Sequence, residues 1–183
     1  EVGSKQIQNR GTIAGNLCNA SPAADGIPPL LALDAAVELA SSGGVRHLPL
    51  SSFITGYRKT ARNPAEILTG VLVPKSAAGG HAAFAKLGAR RYLVISILMA
   101  AANIERSGDG RIAAARVAIG AASPVALRLV GLEADLLGLA EGQMPSSILS
   151  ARHLESLAPI DDVRASAEYR RDAALTIIGD VLD

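Results

Sequence analysis

Three β-runs in succession, followed by three helical runs, constrain the fold of this chain more than any other feature of its sequence. Residues 82–87, 93–105 and 111–119 read as strands, the last two joined by the turn Ser107-Gly108-Asp109-Gly110. Beyond Ala121-Ala122-Ser123-Pro124 the period lengthens, and apolar residues recur at i, i+3 and i+4 over 129–139, 145–157 and 163–182. Ser123-Pro124 and Met144-Pro145-Ser146 fit helix starts, and Gly138 and Gly142 fit stops. A parallel sheet would interleave strands with helices. Strands grouped ahead of helices argue instead for an α+β fold with an antiparallel sheet.

The first half is built of shorter pieces. Residues 1–10 read as the end of a helix, and 21–34 as helix in two pieces, because Pro28-Pro29 breaks the run and restarts it. Leu30, Leu31 and Leu33 form its expected buried face. Residues 36–40 and 45–50 alternate around Ser41-Ser42-Gly43-Gly44, a hairpin signature with His47 on the polar side. A short helix over 53–57, a basic loop over 58–62 and a strand over 66–73 follow. Residues 75–81 are a Gly/Ala/Ser linker, which divides the chain into units over 1–76 and 77–183.

Composition narrows what such a chain can do. Its 183 residues suffice to bury a real core, and a net charge of +1 with mixed signs leaves no nucleic-acid footprint. Cys18 is the only cysteine, which excludes an intrachain disulfide and an iron–sulfur cluster held by this chain alone. A reducing, cytoplasmic compartment is the expectation, with Cys18 as a small buried hydrophobe. His47, His81 and His153 share no metal-ligand spacing. The longest apolar run, 92–102, is interrupted by Ser96 and too short for a membrane span.

The segment from Arg10 to Asp25 stands apart. Residues 11–16 form a small-residue stretch, expected as a loop in which Gly11 and Gly15 permit φ > 0 and a close approach of a ligand to the backbone. Consecutive amides there can make an anion-binding nest, with Thr12 and Asn16 as side-chain donors. Ser21-Pro22 reads as a helix start, and Asp25 falls one position too late for a capping box. A phosphate suits such a place, although on pattern alone a tight turn with a capped helix is the better fit. It is neither a P-loop nor the G-x-G-x-x-G fingerprint.

The order of the motif carries more. Gly11-Thr12-Ile13-Ala14-Gly15-Asn16, then Ala20-Ser21-Pro22-Ala23-Ala24-Asp25, then Pro28-Pro29-Leu30-Leu31-Ala32-Leu33-Asp34-Ala35 resembles the second FAD-binding segment of the molybdenum hydroxylase flavoproteins. These are the FAD-carrying medium subunits of the xanthine dehydrogenase and carbon monoxide dehydrogenase family. Ala14 departs mildly from that family's T-I/V-G-G-N, placing a Cβ near the ligand while keeping the amide. Phe84 to Arg90, Ile95-Ser96 and Asp162 to Arg171 are also family-like, so the resemblance spans nearly the whole chain.

The resemblance implies the second lobe of a two-lobed FAD domain, followed by a small C-terminal domain of antiparallel sheet under helices. It implies that Thr12, Ile13, Ala14, Gly15 and Asn16 line the FAD diphosphate, and that Asp25 accepts a hydrogen bond from the flavin side or positions a neighbouring donor. Leu68 matches a residue whose backbone meets the cofactor, and Lys86 matches the lysine of an F-x-K segment near the flavin. Tyr92 is a weaker candidate for stacking on the ring. Tyr169-Arg170-Arg171 reads as packing with salt bridges, and Asp161 and Asp162 as charges suited to a helix start. No residue marks itself as a general acid, base or nucleophile, since the cofactor supplies the redox chemistry.

The implied partners are a molybdopterin-binding large subunit and a [2Fe-2S] small subunit, with electrons passing through FAD to NAD or another acceptor. The alternatives are an interaction or scaffold domain that retains no flavin, and an FAD-dependent oxidase built on the same two-lobed domain. The family's other glycine-rich flavin loop has no counterpart here, so the first lobe is expected outside this chain. Half a cleft leaves ligand hydrogen bonds in water, where each contributes about 1 kcal/mol against an association cost of roughly 4–15 kcal/mol. The 183-residue chain is therefore expected to fold but to hold FAD weakly or not at all. Flavin fluorescence titration measures this, and tight stoichiometric binding would contradict the shared cleft.

Overall fold

The structure, a computed structural model, describes residues 3–183. Helix α1 (Lys5–Arg10) is capped by Ser4, and α2 (Ile13–Asn19) by Thr12. Residues 1–2 of the expected first helix lie outside the described residues. After α3 (Ile27–Ala32) come β1 (Ala36–Ser41) and β2 (Gly44–Pro49), the hairpin that alternation announces. Val37 and Leu39 point into the core. Glu38 faces outward, bonded to His47 at 3.1 Å and to Thr69 at 2.8 Å. Strand β5 (Ile67–Leu72) adds to the other side of β1, giving the antiparallel order β2-β1-β5. Between them lie α4 (Leu50–Phe53) and a two-stranded ribbon, β3 (Ile54–Gly56) with β4 (Lys59–Thr60). Leu17, Ile27, Leu31, Phe53 and Leu68 close the core over this sheet.

The second half is a four-stranded antiparallel sheet, β6 (His81–Leu87), β7 (Leu98–Arg106), β8 (Ile112–Gly120) and β9 (Leu127–Arg128), in that order. β7 is buried from Leu98 to Ile104 on both faces, which explains its unbroken apolar text. Leu98, Ala100, Ala102 and Ile104 join the core under α5 (Val130–Leu136) and α6 (Ala167–Leu182). α3 packs on β7 and β8 from the first half. The approach is close: a Cβ on Gly120 would lie 2.9 Å from both Pro28 Cγ and Met99 Cγ.

Charge reinforces that seam. Asp34 takes hydrogen bonds from Arg116 and, at 2.6 Å, from Arg128, which also forks onto Glu133. Burial opposes ionisation of Asp34, but the hydrogen bonds from Arg116 and Arg128 outweigh it and hold the carboxyl below its ordinary value. The linker is also pinned. Residues Lys75–Gly79 form a 3-10 turn, and Asn103 Nδ2 donates to the Ala77 carbonyl at 2.6 Å.

Several expected boundaries move. Residues 13–16 are the first turn of α2 rather than a loop, because Thr12 caps the backbone N–H of Gly15 at 2.9 Å. Ser21-Pro22 begins no helix; Ser21 Oγ accepts from Ala23 N in a tight turn, and the prolines instead occupy the first turn of α3, where their missing N–H groups cost nothing. The helix expected over 53–57 lies at α4, ahead of it. Residues 93–97 are irregular, with Leu93 at φ 52°, so the strand starts at Leu98. Residues 145–157 hold two 3-10 turns, Pro145–Ile148 and Ala151–Leu154. Their i, i+3 spacing is one that 3-10 and α-helices share.

The last helix starts at Ala167, under the Ser166 cap, and Asp161 accepts from the Ala167 N–H at 2.6 Å. Asp162 does other work. It accepts from Arg164 at 2.5 Å and from the fully buried Arg170 at 2.7 Å. The Arg164 side chain, its backbone N–H and the charge of Arg170 outweigh burial and hold the Asp162 carboxyl well below the usual carboxylate range. Arg170 Nη1 also donates to the carbonyls of Ile97, at 2.6 Å, and Ala121, at 2.9 Å, where β7 begins and β8 ends. Removing one partner of a buried pair costs about 3–5 kcal/mol. Urea unfolding at neutral pH should place Arg170→Met in that range, with exposed Arg171→Met below about 1 kcal/mol. Equal costs would contradict the anchoring role.

Candidate functional site

Between α1 and α2 the chain leaves a cavity of about 600 Å³. Thr12, Ile13, Gly15, Asn16 and Asp25 line it, so five of the residues singled out by sequence are brought together. The two capped helices make it. Gly11 connects them so closely that a Cβ there would lie 2.7 Å from the Ile7 carbonyl. Neither motif glycine supplies a left-handed conformation: Gly11 has φ −69° and Gly15 is helical. The positive φ falls at Ala20, the C-cap of α2. The nest expected over 11–16 is thus replaced by a helix start, whose first N–H groups lack intrahelical acceptors.

Asn16 is the most telling residue. Among the described residues its carboxamide oxygen is buried without a partner. It lies against Gly26, where a Cβ would come within 3.0 Å. The unpartnered atom is an acceptor shielded by Gly26, so what Asn16 can offer an anion is its Nδ2 donors. Arg10 on α1 adds a cation at the same cavity, and Thr12 keeps its hydroxyl proton free to donate while its oxygen caps Gly15. Arg10 and Gly26 escaped the reading of the sequence; the pairing of a glycine with a distant asparagine leaves no local pattern.

The other expected residues are placed differently. The Ala14 methyl packs against the core, so its Cβ does not approach the cavity as expected, and the departure from glycine is absorbed by the fold. Leu68 is buried in that same core below α2, and its side chain lines no part of the cavity. Asp25 is nearly buried, and each carboxylate oxygen has one partner. Oδ2 meets Lys86 Nζ at 2.5 Å, and Oδ1 accepts from Ser96 Oγ at 2.6 Å. Lys86 itself lines a second cavity of about 480 Å³ with Phe84, Gly88, Arg90 and Arg91. The Asp25–Lys86 pair therefore stands between the two cavities. Tyr92 is half exposed beside the Arg91 guanidinium, 5.2 Å from its ring centre.

The family follows from fold and site together. Residues 1–76 match the FAD-binding domain of molybdopterin dehydrogenases, and residues 82–183, more than half of the chain, match the carbon monoxide dehydrogenase flavoprotein C-terminal domain. The chain belongs to the FAD-binding subunits of the molybdenum hydroxylases, an oxidoreductase family whose cofactor in this subunit is FAD. It is 42% identical over 101 residues to the nicotinate dehydrogenase FAD-subunit of Eubacterium barkeri, covering 54% of this chain and 34% of that one. It is 32% identical over 171 residues to the xanthine dehydrogenase FAD-binding subunit of Escherichia coli O157:H7, covering 92% and 58%. The carbon monoxide dehydrogenase of Hydrogenophaga pseudoflava superposes with TM-score 0.89 at 29% identity, over 98% of this chain and 62% of that one. Quinoline 2-oxidoreductase from Pseudomonas putida 86 gives 0.88 at 28%, over 99% and 62%. The chain thus spans less than two thirds of the length of these relatives.

A side chain at position 15 tests the cavity. A Cβ there would sit 3.0 Å from Thr12 Oγ1, and the valine methyls would crowd the cavity between the helices. Gly15→Val in the complete subunit is expected to abolish FAD retention, while loss of the cap costs the apo-protein about 1 kcal/mol. Visible absorbance of the purified variant measures it, and stoichiometric flavin would remove this cavity from consideration.

Proposed function

We propose that the chain carries FAD as the electron-transfer subunit of a molybdenum hydroxylase, with the α1–α2 cavity taking the diphosphate. The observation that carries this reading is the convergence of Arg10, the Thr12 hydroxyl, Asn16 and the first amides of α2 on one cavity. That donor set is rich in N–H groups and cationic, and it suits an anionic dinucleotide. When bound, FAD supplies the redox chemistry that no side chain of this site could perform.

The chain's own residues then hold and screen. Thr12, Ile13, Gly15 and Asn16 bind the diphosphate, the Ile13 and Ala14 amides contribute from the helix start, and Arg10 offsets its charge. Asp25 and Lys86, already paired, meet the flavin side of the molecule without leaving a net charge in a nearly buried place. Leu68 keeps water from beneath α2, and its backbone lies on the free edge of the three-stranded sheet. Residues 1–76 act as the second lobe of the FAD domain and 77–183 as the C-terminal domain, the other lobe coming from the sequence that the longer relatives carry.

A molybdopterin-binding large subunit and a [2Fe-2S] small subunit complete the assembly in this reading. Support comes from relatives named as a nicotine 6-hydroxylase medium subunit and a carbon monoxide dehydrogenase medium chain. FAD held here would pass electrons from the small subunit's clusters to NAD or another acceptor. The compartment proposed is the cytoplasm; no helix among the described residues is long and apolar enough to cross a membrane. Purification of the complete subunit with its natural partners tests the reading. A visible flavin band bleached anaerobically by the enzyme's reducing substrate is expected. Colourless protein, or flavin that substrate leaves oxidised, would favour an interaction domain instead.

A further inference from the structure

Ser96 was not among the residues that sequence assigned to the site, yet its hydroxyl donates to Asp25 Oδ1 at 2.6 Å and it is fully buried. Its main chain is clamped by neighbours. The Ser96 carbonyl accepts from Arg164 at 2.6 Å, the next residue's N–H donates to Leu87 at 2.8 Å, and that residue's carbonyl accepts from Arg170 at 2.6 Å. Arg164 and Arg170 are held in turn by Asp162. A serine so fixed has little freedom beyond the rotation of its hydroxyl, so it presents a donor at a set point in space.

Asp25 needs such a donor. It sits nearly buried in the turn between α2 and α3, and among the described residues its only other side-chain bond is to Lys86 Nζ. Without Ser96 one carboxylate oxygen would be desolvated and unbonded, and the carboxylate could rotate about Cβ–Cγ away from Lys86. We propose that Ser96 is a positioning residue for the cofactor site: its hydroxyl orients Asp25, and through Asp25 the Lys86 ammonium, for bound FAD. The proposal rests on the FAD reading above. It adds a residue that touches no part of the α1–α2 cavity and acts from the C-terminal half of the chain.

A double-mutant cycle in the complete subunit tests it, with FAD dissociation constants read by flavin fluorescence and apo melting temperatures alongside. Ser96→Ala is expected to weaken FAD about tenfold, the scale of one hydrogen bond to a charged group. Ser96→Thr, which keeps the hydroxyl, should restore affinity to within about threefold of wild type, and it serves as the folded reference if the alanine variant is unstable. In an Asp25→Ala background the same serine change should cost less than about twofold, because nothing remains to be positioned. Equal losses in both backgrounds, or unchanged affinity in Ser96→Ala, would overturn the positioning role while leaving the FAD reading intact. A wild-type subunit that binds no FAD would overturn both.

Discussion

The Arg170 guanidinium is the interaction on which the second half of the molecule depends. A fully buried cation is tolerable only when neighbouring charge and carbonyl dipoles replace its hydration. Asp162 supplies the charge, and the carbonyls of Ile97 and Ala121 supply the dipoles. Those carbonyls lie just outside the strands, since Ile97 precedes β7 and Ala121 follows β8. One side chain of α6 thereby fixes where the central strands start and stop. Through Ile97 it also fixes the place of Ser96 and the irregular segment before it.

The seam between the halves extends this order to the cavity. Small residues on β7 and β8 let α3 lie close against the sheet, and Asp34 ties α3's end to Arg116 and Arg128. Asp25 precedes α3 directly, whereas Lys86 and Ser96 come from the other side of the seam. The group facing the proposed flavin is therefore assembled from both halves. Packing of one helix on one sheet determines whether its charges meet.

Much of this was legible in the text of the chain. Strand β1 follows from alternation, because Val37 and Leu39 are buried and their neighbours are not, and β2, β6 and β8 fall where β-runs between turn residues place them. The strand expected over 93–105 began too early, since apolar residues at 93–97 line an irregular segment whose backbone no periodicity describes. Glycine-rich text at 11–16 suggested a loop, but a threonine able to cap its third N–H neighbour is itself a helix signal, and it prevailed. The residues that the order of the motif singles out, Thr12, Gly15, Asn16 and Asp25, line one cavity. Ser96 stands in the family-like text with no role attached, because its partner lies 71 positions away.

The closeness of α3 to its sheet has a further meaning. Gly120 leaves open the space into which Pro28 of α3 packs, where a Cβ would come within 2.9 Å, so helix and sheet meet closely and resist sliding. Walls that cannot slide hold their dipoles in one arrangement whatever the charge on the molecule between them. For the electron carrier proposed above, fixed dipoles would mean that little of the surroundings must reorient at each transfer. On that proposal the tight seam would serve to keep the reorganisation energy of the site low.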